Sequence, residues 1–265
     1  MYRYIALVLG FIMTGVGTLN MMKEEKYVIP EGNLVFEENF DGNELDGVKW
    51  EKCPEWERCE GDCKWDNDMS YLDGDGHLVL RAEWDAEKNQ VKTGGVRTWQ
   101  KFEFGLGYYE ASIKFDNAYG VWGAFWMMCG NVGGNENNPD GSKAVEIDII
   151  ETIWADEGKT QHVLHWNGYG KRHKSIDRVN SHVNIYDGKF HKFGLNRTKD
   201  AYIFYIDDVE TARFTSEDVG ICEVDGYLKL TMEAAEWMGA GTERAISELP
   251  SEMVVDYVRV YRKKP

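Results

Sequence analysis

Past residue 30 the chain alternates between short apolar runs and clusters of Gly, Asn and Asp. The runs that read as strands are 34–38, 77–83, 95–98, 107–115, 122–129, 144–152, 161–166, 191–196, 202–206, 227–232 and 253–261. The period of two is clearest in 108–115. There Tyr109, Ala111, Ile113 and Phe115 fall on one face, and Glu110, Ser112 and Lys114 on the other. Asp73-Gly-Asp-Gly76 and Asp207-Asp208 read as turn tips. No stretch carries a long amphipathic helix, and no repeat or low-complexity segment is visible. Many short strands with turn signals between them predict an all-β sandwich or barrel. The polar, Gly- and Asn-rich segment 130–143 is a loop leading into the run 144–152, and loops on rigid strands often carry function.

Composition narrows the partners. The 265 residues are 43% hydrophobic and 13% aromatic, enough for a large core in one domain over 30–265. A formal net charge of -16 opposes nucleic acid and acidic membrane surfaces and favours a neutral partner. The expected state is a monomer. The apolar run 4–17 is short for a membrane span and suits a signal peptide over 1–20, hence a secreted protein. A true start at Met21 or Met22 would instead leave the protein cytoplasmic. Cys53, Cys59 and Cys63 cluster at spacings that fit zinc poorly. In an exported protein one disulfide within the cluster is expected. Cys129 sits in an apolar run as a small buried filler, and Cys222 makes the count odd.

The run Ala144-Val-Glu-Ile-Asp-Ile-Ile-Glu-Thr152 carries the chemistry. In a regular strand Glu146 and Asp148 share a face and Glu151 points away. A β-bulge at Ile149–Ile150 would return Glu151 to the same face. Carboxylates on one wall suit glycoside hydrolysis, in which one attacks the sugar and another protonates the leaving oxygen. Asp148, between them, would push its neighbours' pKa values apart. A solvated acidic face would explain Glu146 and Asp148 alone, and a hard cation is a second reading of the cluster. Sugars offer apolar C–H faces to aromatic platforms. Trp122 and Trp126, four apart, fall on one strand face, and His165 and Trp166 follow one strand downstream. The basic run Lys171-Arg-His-Lys174 reads as a solvated loop, with contact to an anionic substrate group as the alternative.

Glu146-Ile-Asp-Ile-Ile-Glu151 resembles the bulged E-x-D-x-x-E motif of glycoside hydrolase family 16, the laminarinase-like clan. Further blocks resemble the same family in the same order: 34–41, Thr93-Gly-Gly-Val-Arg-Thr98, 105–112, 120–126 and Val255-Asp-Tyr-Val-Arg-Val-Tyr261. The resemblance implies a β-jelly-roll sandwich of two curved antiparallel sheets with a concave substrate cleft. It implies retaining endo-hydrolysis of β-1,3- or mixed-linkage β-1,3-1,4-glucan by double displacement. Glu146 would be the nucleophile, Asp148 its assistant and Glu151 the general acid/base. Arg97, Trp122 and Trp126 would line the donor side, with His165 towards the leaving group and Trp166 and Trp237 as further substrate contacts. No catalytic cofactor is implied. A structural calcium is, on the Asp256 side chain and carbonyls near Asn39 and Gly76. The Cys53–Cys63 segment and the block Thr231–Trp237 depart from the family pattern and leave the glycan open. Galactans (agar, porphyran, carrageenan) and transglycosylation are the alternatives within the family. A non-catalytic carbohydrate-binding sandwich is the alternative outside it.

Overall fold

The protein is described by a computed structural model over residues 26–153 and 157–265. The leader expected over 1–20 and the alternative starts at Met21 and Met22 lie outside the described residues. In chain order the strands are β1 (Leu34–Glu38), β2 (Glu51–Lys52), β3 (Glu57–Arg58), β4 (Cys63–Trp65), β5 (Ser70–Leu72) and β6 (Leu78–Asp85). Then come β7 (Gln90–Thr93), β8 (Gly95–Arg97), β9 (Gly107–Phe115), β10 (Val121–Cys129), β11 (Val145–Glu151) and β12 (Thr160–Trp166). The last are β13 (Lys174–Asn180), β14 (His191–Arg197), β15 (Ala201–Ile206), β16 (Val209–Thr215), β17 (Gly226–Ala234) and β18 (Ser251–Tyr261). A short helix, α1 (Glu243–Ser247), is capped by the Thr242 hydroxyl.

An 11-stranded sheet runs β16-β15-β14-β9-β18-β6-β7-β4-β3, with β1 on β18 and β5 on β6. A 7-stranded sheet runs β13-β12-β11-β10-β17-β8-β2. Pairing is antiparallel except between β4 and β7. The expected two-sheet sandwich therefore forms. Its core is one continuous cluster between the sheets, including Phe125, Ile147, Ile149, Ile150, Leu164, Leu228 and Leu230 from the smaller sheet. Phe115, Phe193 and Val255 answer from the larger one. Gly123 faces this core where nothing larger fits, since a Cβ there would stand 2.7 Å from the Phe115 ring.

Every strand read from the apolar pattern is present, within a few residues at its ends. Strands β2 to β5, β7, β13 and β16 were not legible. β2 to β5 are only two or three residues long. β13 is an edge strand reading Lys-Ser-Ile-Asp-Arg-Val-Asn, mostly exposed, so backbone pairing to β12 holds it rather than burial. The disulfide expected within the Cys53–Cys63 cluster is a correction: these cysteines are all free thiols. Cys53 and Cys63 are buried, and Cys59 and Cys63 turn their sulfurs towards the Glu233 carboxylate. Cys129 is fully buried, as expected of a core filler.

Candidate active site

The site is built on β11, inside the smaller sheet between β10 and β12. Against β10 the register pairs Glu146 with Met128, Ile147 with Met127 and Asp148 with Trp126. It then jumps to Ile150 with Phe125 and Glu151 with Ala124. Ile149 is the extra residue. The ladder to β12 slips at the same place, between Asp148 and Glu151. Ile149 and Ile150 both enter the core, and Glu151 returns to the face of Glu146 and Asp148. This is the bulge the spacing of the three acids predicted.

A histidine pins the bulge from the core side. His162 Nδ1 lies 2.6 Å from the Ile149 carbonyl and Nε2 lies 2.8 Å from Thr211 Oγ1. A carbonyl only accepts, so Nδ1 donates and Nε2 accepts from the hydroxyl. Complete burial drives the imidazole pKa down to about 4, so the ring is neutral.

The three carboxylates line one open cavity of about 410 Å³. Trp122, Ala124, Trp126 and Met128 of β10 form its floor beside them. Lys229, Thr231 and Glu233 of β17 form the adjoining wall, with Arg58 from β3 and Tyr169 from the loop after β12 at the rim. The Trp126 indole N–H donates to Thr231 Oγ1 at 3.0 Å, which fixes that ring. Trp122 packs on Trp237 with ring centroids 5.8 Å apart, and Trp237 is 67% exposed. These two indoles extend the apolar floor outward.

Electrostatics separates the acids. Desolvation raises the Glu146 pKa, but the Tyr169 hydroxyl donates to its Oε2 at 2.5 Å and Lys229 lies nearby, both favouring the anion. Asp148 is raised well above its ordinary value by burial and then by Glu151 and Glu146. Its Oδ2 is buried with no hydrogen-bond partner among the described residues, as suits a carboxyl that keeps its proton. Glu151 is lifted to about 7, first by burial, against the hydrogen bond it accepts from Gln161 at 2.8 Å. The wall thus offers one carboxyl with a hydroxyl and an ammonium at hand to hold its anion, one held proton and one group poised near neutrality.

The other expected site residues fall into two groups. His165 stands opposite Glu146 on β12, with Nε2 3.6 Å from Asp148 Oδ2 and Nδ1 3.0 Å from His173 Nε2. Burial, then His173, lowers its pKa to about 4. Arg97 shares the cleft face, opposite Lys229 in the β8–β17 ladder. Its guanidinium is held by Glu51 at 2.6 Å and lies over Trp99 rather than reaching the acids. Trp166 is a correction. It alternates with His165, so it points into the core, 6% exposed, with its N–H on the Pro139 carbonyl. In the Lys171–Lys174 run, Arg172 and Lys174 bind backbone carbonyls of the 130–143 loop. His173 stacks on His165.

Among the described residues, two side-chain groups have donor atoms close enough for a metal: Glu146, Asp148 and His165, and Cys59, Cys63 and Glu233. In the first, the protonated Asp148 suits a cation poorly. In the second, Arg58 already holds the carboxylate at 3.1 Å. The calcium positions lie elsewhere. Asp256 is the unpaired residue where the β18–β9 register slips. Gly76 stands beside Asp41 Oδ1, and Asn39 Oδ1 accepts from Arg259.

Sequence reading missed Arg58, Gln161, Tyr169, Lys229 and Glu233. A signal existed for two of them. Lys229, Thr231 and Glu233 alternate with Leu228, Leu230 and Met232, an uncommon polar face for a central strand. Arg58 and Tyr169 come from a two-residue strand and a loop, which carry no periodic signal.

An acidic, indole-floored cleft on a jelly-roll sandwich defines the glycoside-hydrolase class of β-protein. The chain belongs to glycosyl hydrolases family 16, whose profile matches residues 59–258. It is 26% identical over 194 residues to the endo-1,3-1,4-beta-glycanase ExsH of Rhizobium meliloti (strain 1021). That match covers 70% of this chain and 38% of the relative, so this chain spans about two fifths of ExsH. The beta-glucanase of Rhodothermus marinus is 24% identical over 272 residues, 95% of this chain and 92% of its own. Among solved structures, the catalytic domain of an endo-1,3-beta-glucanase (laminarinase) from Thermotoga petrophila RKU-1 superposes with a TM-score of 0.72. It is 22% identical and covers 88% of this chain and 98% of that one, a likeness of fold.

Proposed function

We propose that the protein is a retaining endo-β-glucanase acting on β-1,3- or mixed-linkage β-1,3-1,4-glucan. The observation that carries this is the bulge at Ile149, which turns Glu146, Asp148 and Glu151 onto one wall of an indole-floored cleft. The names of the Rhizobium and Rhodothermus relatives support the choice of glucan.

The chemistry follows from the protonation pattern. A sugar ring lies on Trp122 and Trp126. Glu146, held by Tyr169, attacks the anomeric carbon while protonated Glu151 gives its proton to the departing glycosidic oxygen. The glycosyl ester on Glu146 is then cleaved by water, from which Glu151, now ionised, takes a proton. Asp148, keeping its proton, spares the site a third negative charge. No step calls for a metal.

Reducing-end assays on laminarin, lichenan, agarose and carrageenan test the substrate. Turnover of laminarin or lichenan is expected. Turnover of the galactans alone would replace the glucan with a galactan.

A structural calcium on Asp256 and the carbonyls of Asn39 and Gly76 is a separate proposal. The unpaired Asp256 and the approach of Gly76 to Asp41 support it, because hard oxygen donors suit calcium.

A further inference from the structure

One end of the cleft is rich in donors and poor in acceptors. Lys229 is 6% exposed, yet among the described residues no atom accepts a hydrogen bond from its Nζ. The ammonium lies 3.7 Å from the Trp126 ring centroid and 4.6 Å from that of Trp65. Arg58 covers the same Trp65 ring at 4.3 Å. Its Nε and Nη2 bind Glu233, which leaves Nη1 without an acceptor among the described residues. The Trp65 indole N–H is buried and unpartnered as well. The ammonium opens onto the cleft, so its donors face whatever occupies it, and the indole faces supply only part of what an ammonium seeks.

The charges balance only while Glu146 is ionised. Lys229 and Arg58 bring two positive charges, against one carboxylate, Glu233, in contact with Arg58. Glu146 is the next anion along the wall, and its charge disappears when it bonds to the sugar. A sugar hydroxyl could accept from Lys229 but would leave the ammonium unneutralised. An anionic oxygen does both.

We propose that Lys229 and Arg58, ranged over the Trp65 indole, form a subsite for an anionic substituent on the polysaccharide, a carboxylate or a sulfate ester. This rests on the glycanase reading and narrows its substrate. Lys229 pairs in register with Trp126, and Trp126 with Asp148, so its backbone lies two strands, about 10 Å, from that of Asp148, and its ammonium reaches back over the Trp126 ring. The charged group therefore belongs to a sugar seated at or beside Trp126. The net charge of -16 leaves the site standing against a field of the opposite sign, which favours recognition by close contact over long-range attraction.

The test compares laminarin, laminarin oxidised at C6 to glucuronate, and sulfated laminarin, with wild type, Lys229→Met and Lys229→Arg. Wild type is expected to show kcat/KM at least ~10-fold higher on one of the charged substrates than on laminarin, falling with added salt. The better of the two identifies the substituent as carboxylate or sulfate. Lys229→Met should abolish that ratio, and Lys229→Arg should largely keep it. Lys229→Met should also melt no lower than wild type, because it removes an unpaired buried charge. No preference in wild type, or an equal ratio in Lys229→Met, overturns the proposal. If none of the three substrates is cleaved, the glycanase reading is what fails. Calorimetric binding of glucuronate-bearing and neutral oligosaccharides to Glu146→Gln then decides the subsite, with tighter binding of the charged one expected and equal affinity overturning it.

Discussion

At the residue scale, the division of labour among Glu146, Asp148 and Glu151 comes from what surrounds each group. Glu151 shows it best. Burial lifts its pKa from 4.5 to about 7, so it holds its proton in mildly acid solution and loses it above neutrality. The expected kcat/KM profile falls on the alkaline side with a midpoint near 7, and Glu151→Gln should remove that limb along with most activity. The same shift bears on stability. A folded-state pKa above the unfolded one contributes stability that is present below about 4.5 and is lost as pH rises through about 7. Melting curves should therefore show Glu151→Gln more stable than wild type above neutrality. Equal melting temperatures at pH 8 would contradict the raised pKa. Glu146, Asp148 and Glu151 were legible in the sequence because their spacing is odd for a strand. Tyr169, which holds Glu146, was not, because a loop residue comes to the site through tertiary structure that no local pattern encodes.

At the scale of the element, the bulge is the working part. It places two consecutive isoleucines in the core and three acids in the cleft. His162 fills the hydrogen-bond need this creates at the Ile149 carbonyl. Losing that donor would leave a buried carbonyl unmet, at about 1–3 kcal/mol. His162→Leu should thus lower the melting temperature and, by displacing Glu151, lower kcat by roughly 10–100-fold with a smaller change in KM. His162→Gln, which retains a donor, should recover part of both. A Leu variant with unchanged kcat would show that the bulge holds itself. The periodic rule that correctly aimed Trp122 and Trp126 also explains the failure at Trp166. His165 faces the acids, so its neighbour must face the core. β13 escaped notice for the opposite reason, since an exposed edge strand buries too little for an apolar pattern.

At the scale of the whole molecule, the larger sheet backs the smaller one, and one uninterrupted core supports the bulged strand from behind. That much was legible, because central strands of a sandwich carry dense apolar alternation. The cationic end of the cleft was hidden by the overall charge, which speaks for an acidic surface and is silent about a buried Lys229 and a half-buried Arg58. The proposed calcium also belongs to this scale. If it is bound, chelation with EGTA should lower the melting temperature and added calcium should restore it. An unchanged melting temperature would remove it. The central claim is that Glu146 forms a covalent glycosyl ester, and the most direct measurement is on Glu146→Ala with an activated β-glucoside oligosaccharide and azide. The expected result is little turnover without azide and restored turnover with it, giving an α-glycosyl azide identified by NMR. Full activity without azide, or rescue giving the β-azide, would contradict the assignment of Glu146 as nucleophile.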